Sequence, residues 1–133
     1  MRWWIGLALA VLLGMTGCKP APVTVSGTVT YRERMALPQD AVLRVAIEDL
    51  SAPGDPPHLV ATTVIKTAGR QVPIPYLITL ADPTTVDPKH EYGLRVRIES
   101  HDGALMFIND TRYGVLTNGV LKQDVVVKRV AAP

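Results

Sequence analysis

The chain has 133 residues, a formal net charge of +2, 47% hydrophobic residues and a single cysteine. That length fits one domain. A lone thiol excludes an internal disulfide, and so small a positive charge gives no sign of the concentrated basic patch that nucleic-acid binders carry.

Arg2 precedes an apolar stretch that starts at Trp3 and ends in Met15-Thr16-Gly17-Cys18, after which Lys19-Pro20-Ala21-Pro22 turns polar and proline-rich. That order predicts a secretory signal peptide over residues 1–17. The stretch contains Gly6, Gly14, Thr16 and Gly17, and it falls short of the roughly 18 apolar residues a permanent span requires. The small Gly17 before Cys18 resembles a bacterial lipobox. Such a resemblance implies cleavage before Cys18 and attachment of a diacylglyceryl group to its thiol, hence a membrane anchor. Lys19, standing where an aspartate commonly retains enterobacterial lipoproteins in the inner membrane, points to the outer membrane with the domain facing the periplasm. Residues 18–22 are then a lipidated cysteine and short linker, 23–130 the folded domain and 131–133 a tail.

Within that domain the pattern is one of strands. Val23, Val25, Gly27, Val29 and Tyr31 alternate with Thr24, Ser26, Thr28 and Thr30, the period-two signature of a half-buried strand. Leu43, Val45 and Ile47 repeat it, a third strand runs near Leu59 to Thr67, and a fourth near Ile74 to Leu80. Ala81 to Glu91, with two Asp-Pro pairs, predicts a loop containing one helical turn. Tyr92, Leu94, Val96 and Ile98 alternate with Gly93, Arg95, Arg97 and Glu99, the clearest case. Leu105 to Ile108 and Val125 to Val130 complete seven. Asp102-Gly103 and Asn118-Gly119 signal tight turns, and Pro53, Pro56 and Pro57 interrupt any regular element. No helical periodicity is sustained. The expectation is an all-β fold, a small antiparallel β-sandwich of immunoglobulin-like or transthyretin-like kind, with Pro73 and Pro75 putting the fourth strand at a sheet edge or a bulge.

Ser26-Gly27-Thr28-Val29-Thr30-Tyr31-Arg32-Glu33-Arg34 with Leu37-Pro38 and Ala41-Val42-Leu43 is similar to the opening of the YbaY/YscW-like lipoprotein domain. Glu48-Asp49-Leu50-Ser51, Gln71 to Tyr76, Tyr92 to Ile98 and Asp110 to Thr117 continue the resemblance in order, from about Val23 to Val130. The chain departs from it at Ala81-Asp82, where the family tends to carry an aromatic before the acidic residue. The resemblance implies a small outer-membrane lipoprotein. For the secretion-system members it implies a pilotin, a lipidated chaperone that escorts secretin subunits.

No motif for catalysis competes with that reading. His58, His90 and His101 are far apart, lack metal-ligand spacing and are expected in solvated loops. No serine sits in a Gly-x-Ser-x-Gly elbow. Asp82 and Asp87 each precede a proline and are expected to cap turns through their side chains. Neither a catalytic residue, a metal ligand nor a cofactor is expected. As candidate partner contacts the sequence offers Arg95 and Arg97, two apart and so on one side of a strand, and Pro73 and Pro75 on the expected edge. The arginines could meet an acidic partner or anionic headgroups, against the alternative of cross-strand pairing with Glu48 or Glu99. The expected partners are the membrane, through Cys18, and an outer-membrane client. A second hypothesis, an envelope-maintenance lipoprotein binding glycan or a peptidoglycan-associated partner, is weakened by a short aromatic supply: Tyr31, Tyr76, Tyr92, Phe107 and Tyr113. Oligomeric state is left open.

Overall fold

Alternating apolar and polar side chains commit a segment to extended backbone, because only a strand puts every second residue on one face. The computed structural model, which describes residues 21–54 and 57–130, realises this as eight strands. They are β1 (Val23–Tyr31), β2 (Val42–Asp49), β3 (His58–Lys66), β4 (Ile74–Leu80), β5 (Tyr92–Glu99), β6 (Leu105–Ile108), β7 (Tyr113–Val115) and β8 (Val125–Arg129). The expected signal peptide, Cys18 and the 131–133 tail lie outside the described residues.

The purest alternation is in β4, which buries Ile74, Tyr76, Ile78 and Leu80 and exposes Pro75, Leu77 and Thr79. Leu43, Val45 and Ile47 of β2, Val96 and Ile98 of β5, Phe107 of β6 and Val125 and Val127 of β8 join them in one core, all without solvent exposure. Each such aliphatic side chain contributes roughly 1.5–3 kcal/mol by leaving water. Phe107 stacks on Tyr31, with ring centroids 4.3 Å apart and planes 9° from parallel. Tyr76 brings a hydroxyl into this interior and donates it to the Gln123 carbonyl at 2.6 Å. Burial, with a smaller push from the Asp124 charge, raises that phenol to about 12.

The fold is all-β, as the alternation predicts, but its arrangement differs from a seven-stranded antiparallel sandwich. A single sheet runs β3-β2-β5-β6-β8-β1-β4, with β7 pairing β5. It curls until its terminal strands β3 and β4 pack side by side without joining into a ladder, giving a nearly closed barrel. One pair is parallel: β8 runs alongside β1, with Val29 opposite Val125 and Tyr31 opposite Val127. The eighth strand, β7, is only Tyr113–Val115, too short for periodicity to announce. The edge position expected from Pro73 and Pro75 is found, since β4 ends the sheet and Pro75 stands opposite Thr28 of β1. The expected helical turn is a 3-10 turn over Pro83–Thr85, capped by the Asp82 carboxylate, which accepts from the Thr84 amide at 3.0 Å. Asp87 caps the next turn, accepting from the Lys89 amide at 2.8 Å.

Candidate functional site

Because inward residues of β2 and β5 fill the core, their alternate residues form an outer face: Arg44, Ala46 and Glu48 on β2, and Gly93, Arg95, Arg97 and Glu99 on β5. In the antiparallel register Arg44 faces Arg97, Ala46 faces Arg95 and Glu48 faces Gly93. Like charges directly opposite each other repel, and the two glutamates relieve this from diagonal positions. Glu99 takes Arg44 Nε on one oxygen at 3.0 Å and approaches Arg97 Nε with the other at 3.3 Å, while Glu48 takes Arg95. Both carboxylate side chains are largely buried and the arginine side chains, taken whole, are about half exposed. The alternative of cross-strand pairing, set beside partner contact in the sequence, is therefore realised for Arg95.

Arg97 is different. Its Nε is buried and has no hydrogen-bond partner, the 3.3 Å approach to Glu99 lacking hydrogen-bond geometry.

A groove of about 410 Å³ runs along this face. Arg95, Arg97 and Gly93 line it with Glu48 and Leu50 from β2 and the turn after it, and with Leu105, Ile108 and residues 109–112 beyond β6. Leu50 lies directly over Gly93, where a Cβ would approach Leu50 Cδ1 to 2.9 Å. A side chain at position 93 would push the end of the Leu50 side chain aside and change that apolar end of the groove.

The opposite wall exists because the ladder along β5 is broken. β6 pairs with β5 at Arg97–Ile108, and β7 pairs with it at Leu94–Tyr113. The Asn109 side chain spans the gap: its oxygen accepts from the Val96 amide at 2.8 Å and its nitrogen donates to the Leu94 carbonyl at 2.9 Å. An amide side chain thus stands in for a missing backbone unit and lets residues 109–112 bulge outward. Asp110 ties the bulge to β8 through Lys128 at 2.8 Å, a contact that holds the Asp110 carboxyl below its ordinary range. Arg112 ends the bulge and, among the described residues, has no carboxylate within ion-pair distance. Nothing in the local sequence marks Asn109 and Arg112 as site residues. An Asn-Asp-Thr run looks like an ordinary loop, and the broken ladder that gives it meaning is a long-range property.

The other sequence-predicted contacts, Pro73 and Pro75, lie on the far side of the barrel. Pro75 borders a shallow cleft with Leu77, Ile65 and Arg70, and Leu77 is the most exposed large hydrophobic residue described, at 59%. The structure therefore does not bring the prolines and arginines into one site. Cys18 lies outside the described residues.

Of the three histidines, His101 is the solvated loop residue expected, with its side chain 71% exposed, whereas the other two depart from that expectation. His90 Nδ1 lies 2.7 Å from buried Asp49, and His101 Nδ1 lies 2.7 Å from Asp40. His58 begins β3 and is exposed. Among the described residues no three His, Cys, Asp or Glu side chains stand together as a metal-binding group, and no helix is long and apolar enough to cross a membrane. Of the aromatic residues, Tyr31, Tyr76, Tyr92 and Phe107 belong to the core. Tyr113 is tied to Val126, whose amide donates to its hydroxyl at 3.0 Å. No exposed aromatic platform for a sugar ring stands among the described residues.

Comparison with known proteins places this geometry in context. The family model described as type III secretion system lipoprotein chaperone (YscW) matches residues 20–127. The chain is similar to the uncharacterized lipoprotein YbaY of Escherichia coli (strain K12), with 37% identity over 112 residues, 82% of this chain and 58% of that protein. It thus spans less than two thirds of that relative's length. Among solved structures it is similar to an alternative pilotin from the type II secretion system of Vibrio cholerae. The two share 34% identity at a TM-score of 0.77, over 84% of this chain and 99% of that one.

Proposed function

Because this chain belongs to the YscW family of type III secretion system lipoprotein chaperones, we propose that it is a pilotin-like envelope lipoprotein that binds and escorts an outer-membrane client such as a secretin. The role asks for binding and delivery, not catalysis. Cys18 carries the anchor in this reading. At about 0.8 kcal/mol per buried methylene, two or three acyl chains hold a protein at a bilayer almost permanently. Lys19 to Pro22 gives the domain only about 13 Å of reach, so the barrel works close to the periplasmic surface of the outer membrane.

The observation that carries the reading is the likeness to the Vibrio cholerae pilotin, which extends over 99% of that chain at 34% identity. The match takes in the whole of that structure, not one shared motif. The groove beside β5 adds a surface able to hold a polypeptide segment. Gentle cross-linking of native envelopes followed by purification of this chain tests the proposal. An outer-membrane multimer is the expected companion, and recovery of nothing specific contradicts it.

A further inference from the structure

Resting on that client-binding role, we infer that the groove beside β5 recognises an acidic, amphipathic polypeptide segment, with Arg97 and Arg112 taking its carboxylates. The four arginines of this face are not equivalent. Arg44 and Arg95 are committed through Nε to Glu99 and Glu48, and the two acids are thereby used. Asp110 is neutralised by Lys128. What remains is a positive surplus, since Glu99 is divided between Arg44 and Arg97, whose buried Nε approaches it at 3.3 Å without a hydrogen bond, and Arg112 meets no described carboxylate.

A buried donor without a partner costs free energy until something accepts from it, and a guanidinium fork is shaped to take a carboxylate on two hydrogen bonds. Both arginines line the groove together with Leu50, Leu105 and Ile108, so an occupant must offer acidic and apolar side chains at once. A turn of amphipathic helix or a short extended segment does so. A bilayer surface offers its charge as a plane and cannot follow a concave wall built by residues 109–112, so the shape favours polypeptide over lipid headgroup.

The test uses full-length protein purified from its own envelope in mild detergent. The probe is a synthetic 18-residue amphipathic peptide with leucines on one face and glutamates on the other, and an otherwise identical glutamine peptide serves as the control. The glutamate peptide should bind roughly tenfold more tightly, on the scale of two charge-assisted contacts at a partly exposed site, and the advantage should shrink with added salt. It should vanish in Arg97→Gln/Arg112→Gln, where Glu99 keeps Arg44 and the fold is retained, as circular dichroism would verify. Arg32→Gln/Arg34→Gln, which removes the same charge elsewhere, should keep it. Equal binding of the two peptides, or an advantage indifferent to Arg97 and Arg112, overturns the inference. So does binding confined to phosphatidylglycerol vesicles. If the Arg97→Gln/Arg112→Gln protein still captures its client from envelopes, this inference falls and the pilotin reading stands. If wild type captures none, the pilotin reading falls by itself.

Discussion

His90 Nδ1 lies 2.7 Å from Asp49 Oδ2, joining the loop before β5 to the end of β2 across 41 residues of sequence. The buried carboxylate also accepts from the Ser51 and Ala52 amides at 2.9 and 3.0 Å, while Asp87 approaches the other imidazole nitrogen at 3.5 Å. Thr117 donates to the His90 carbonyl at 2.8 Å and so fastens a third loop to the same point. One imidazole therefore sits where three loops at this end of the barrel meet.

That arrangement makes stability depend on pH. The hydrogen bond to Asp49 holds the His90 pKa above its ordinary 6.5, against a smaller opposing effect of burial. Burial pushes the Asp49 carboxyl up, but the bonds from His90, Ser51 and Ala52 together outweigh it and hold the group below 3.8. A raised histidine pKa gives stability that is complete below about 6.5 and is lost as pH climbs through the higher folded value. A lowered carboxyl pKa gives stability present above about 3.8 and lost as pH falls through the folded value. The pair thus contributes most between those limits. Thermal melts from pH 5 to 8 should show the wild-type midpoint falling as pH rises past 6.5, and His90→Gln should flatten that fall. Parallel curves for the two proteins would contradict the assignment.

Asn109 bridges a break in the β5 ladder, so Asn109→Ala leaves the Val96 amide and the Leu94 carbonyl without those partners. The expected loss is about 1–3 kcal/mol, the desolvation cost of buried polar groups left unmet. Amide exchange at Val96 should accelerate more than at Val45 in the neighbouring strand. A uniform change across both strands would mean that the side chain supports the whole domain and not the groove wall.

Phe107 is completely buried and stacked on Tyr31. It sits on β6, the strand that links β5 to β8 in the sheet. Phe107→Ala should destabilise the domain by about 3–5 kcal/mol, the range for truncating a core phenylalanine, as read from the urea midpoint. A loss under about 1 kcal/mol would mean that the core collapses readily around the gap.

Much of the barrel was legible because the chain alternates so regularly. β4 and β5 begin and end where Ile74, Leu80, Tyr92 and Glu99 place them, and the edge position of β4 follows from a proline that has no amide to give. What was not legible is long-range. Val125 to Val127 announces a strand but not that it will run parallel to Val29 to Tyr31, since local pattern carries no partner and no direction. Tyr113–Val115 spans too few residues to show a period. The site divides along the same line. The common face of Arg95 and Arg97 follows from their spacing, whereas the distinction between them depends on Glu48, Glu99 and the bulge at Asn109. His90 looked solvated because Asp49 is distant in sequence.

The central claim is that a lipid-anchored chaperone delivers an outer-membrane client, and delivery can be measured directly. In the native bacterium the gene would be deleted and complemented with wild type or Cys18→Ser, and secretin multimers quantified in separated inner and outer membranes. The account predicts loss of multimers from the outer membrane on deletion and their recovery with wild type. With Cys18→Ser it predicts no recovery, the variant itself appearing in the soluble periplasmic fraction. Normal outer-membrane multimers in the deletion strain, or full rescue by Cys18→Ser, would contradict it.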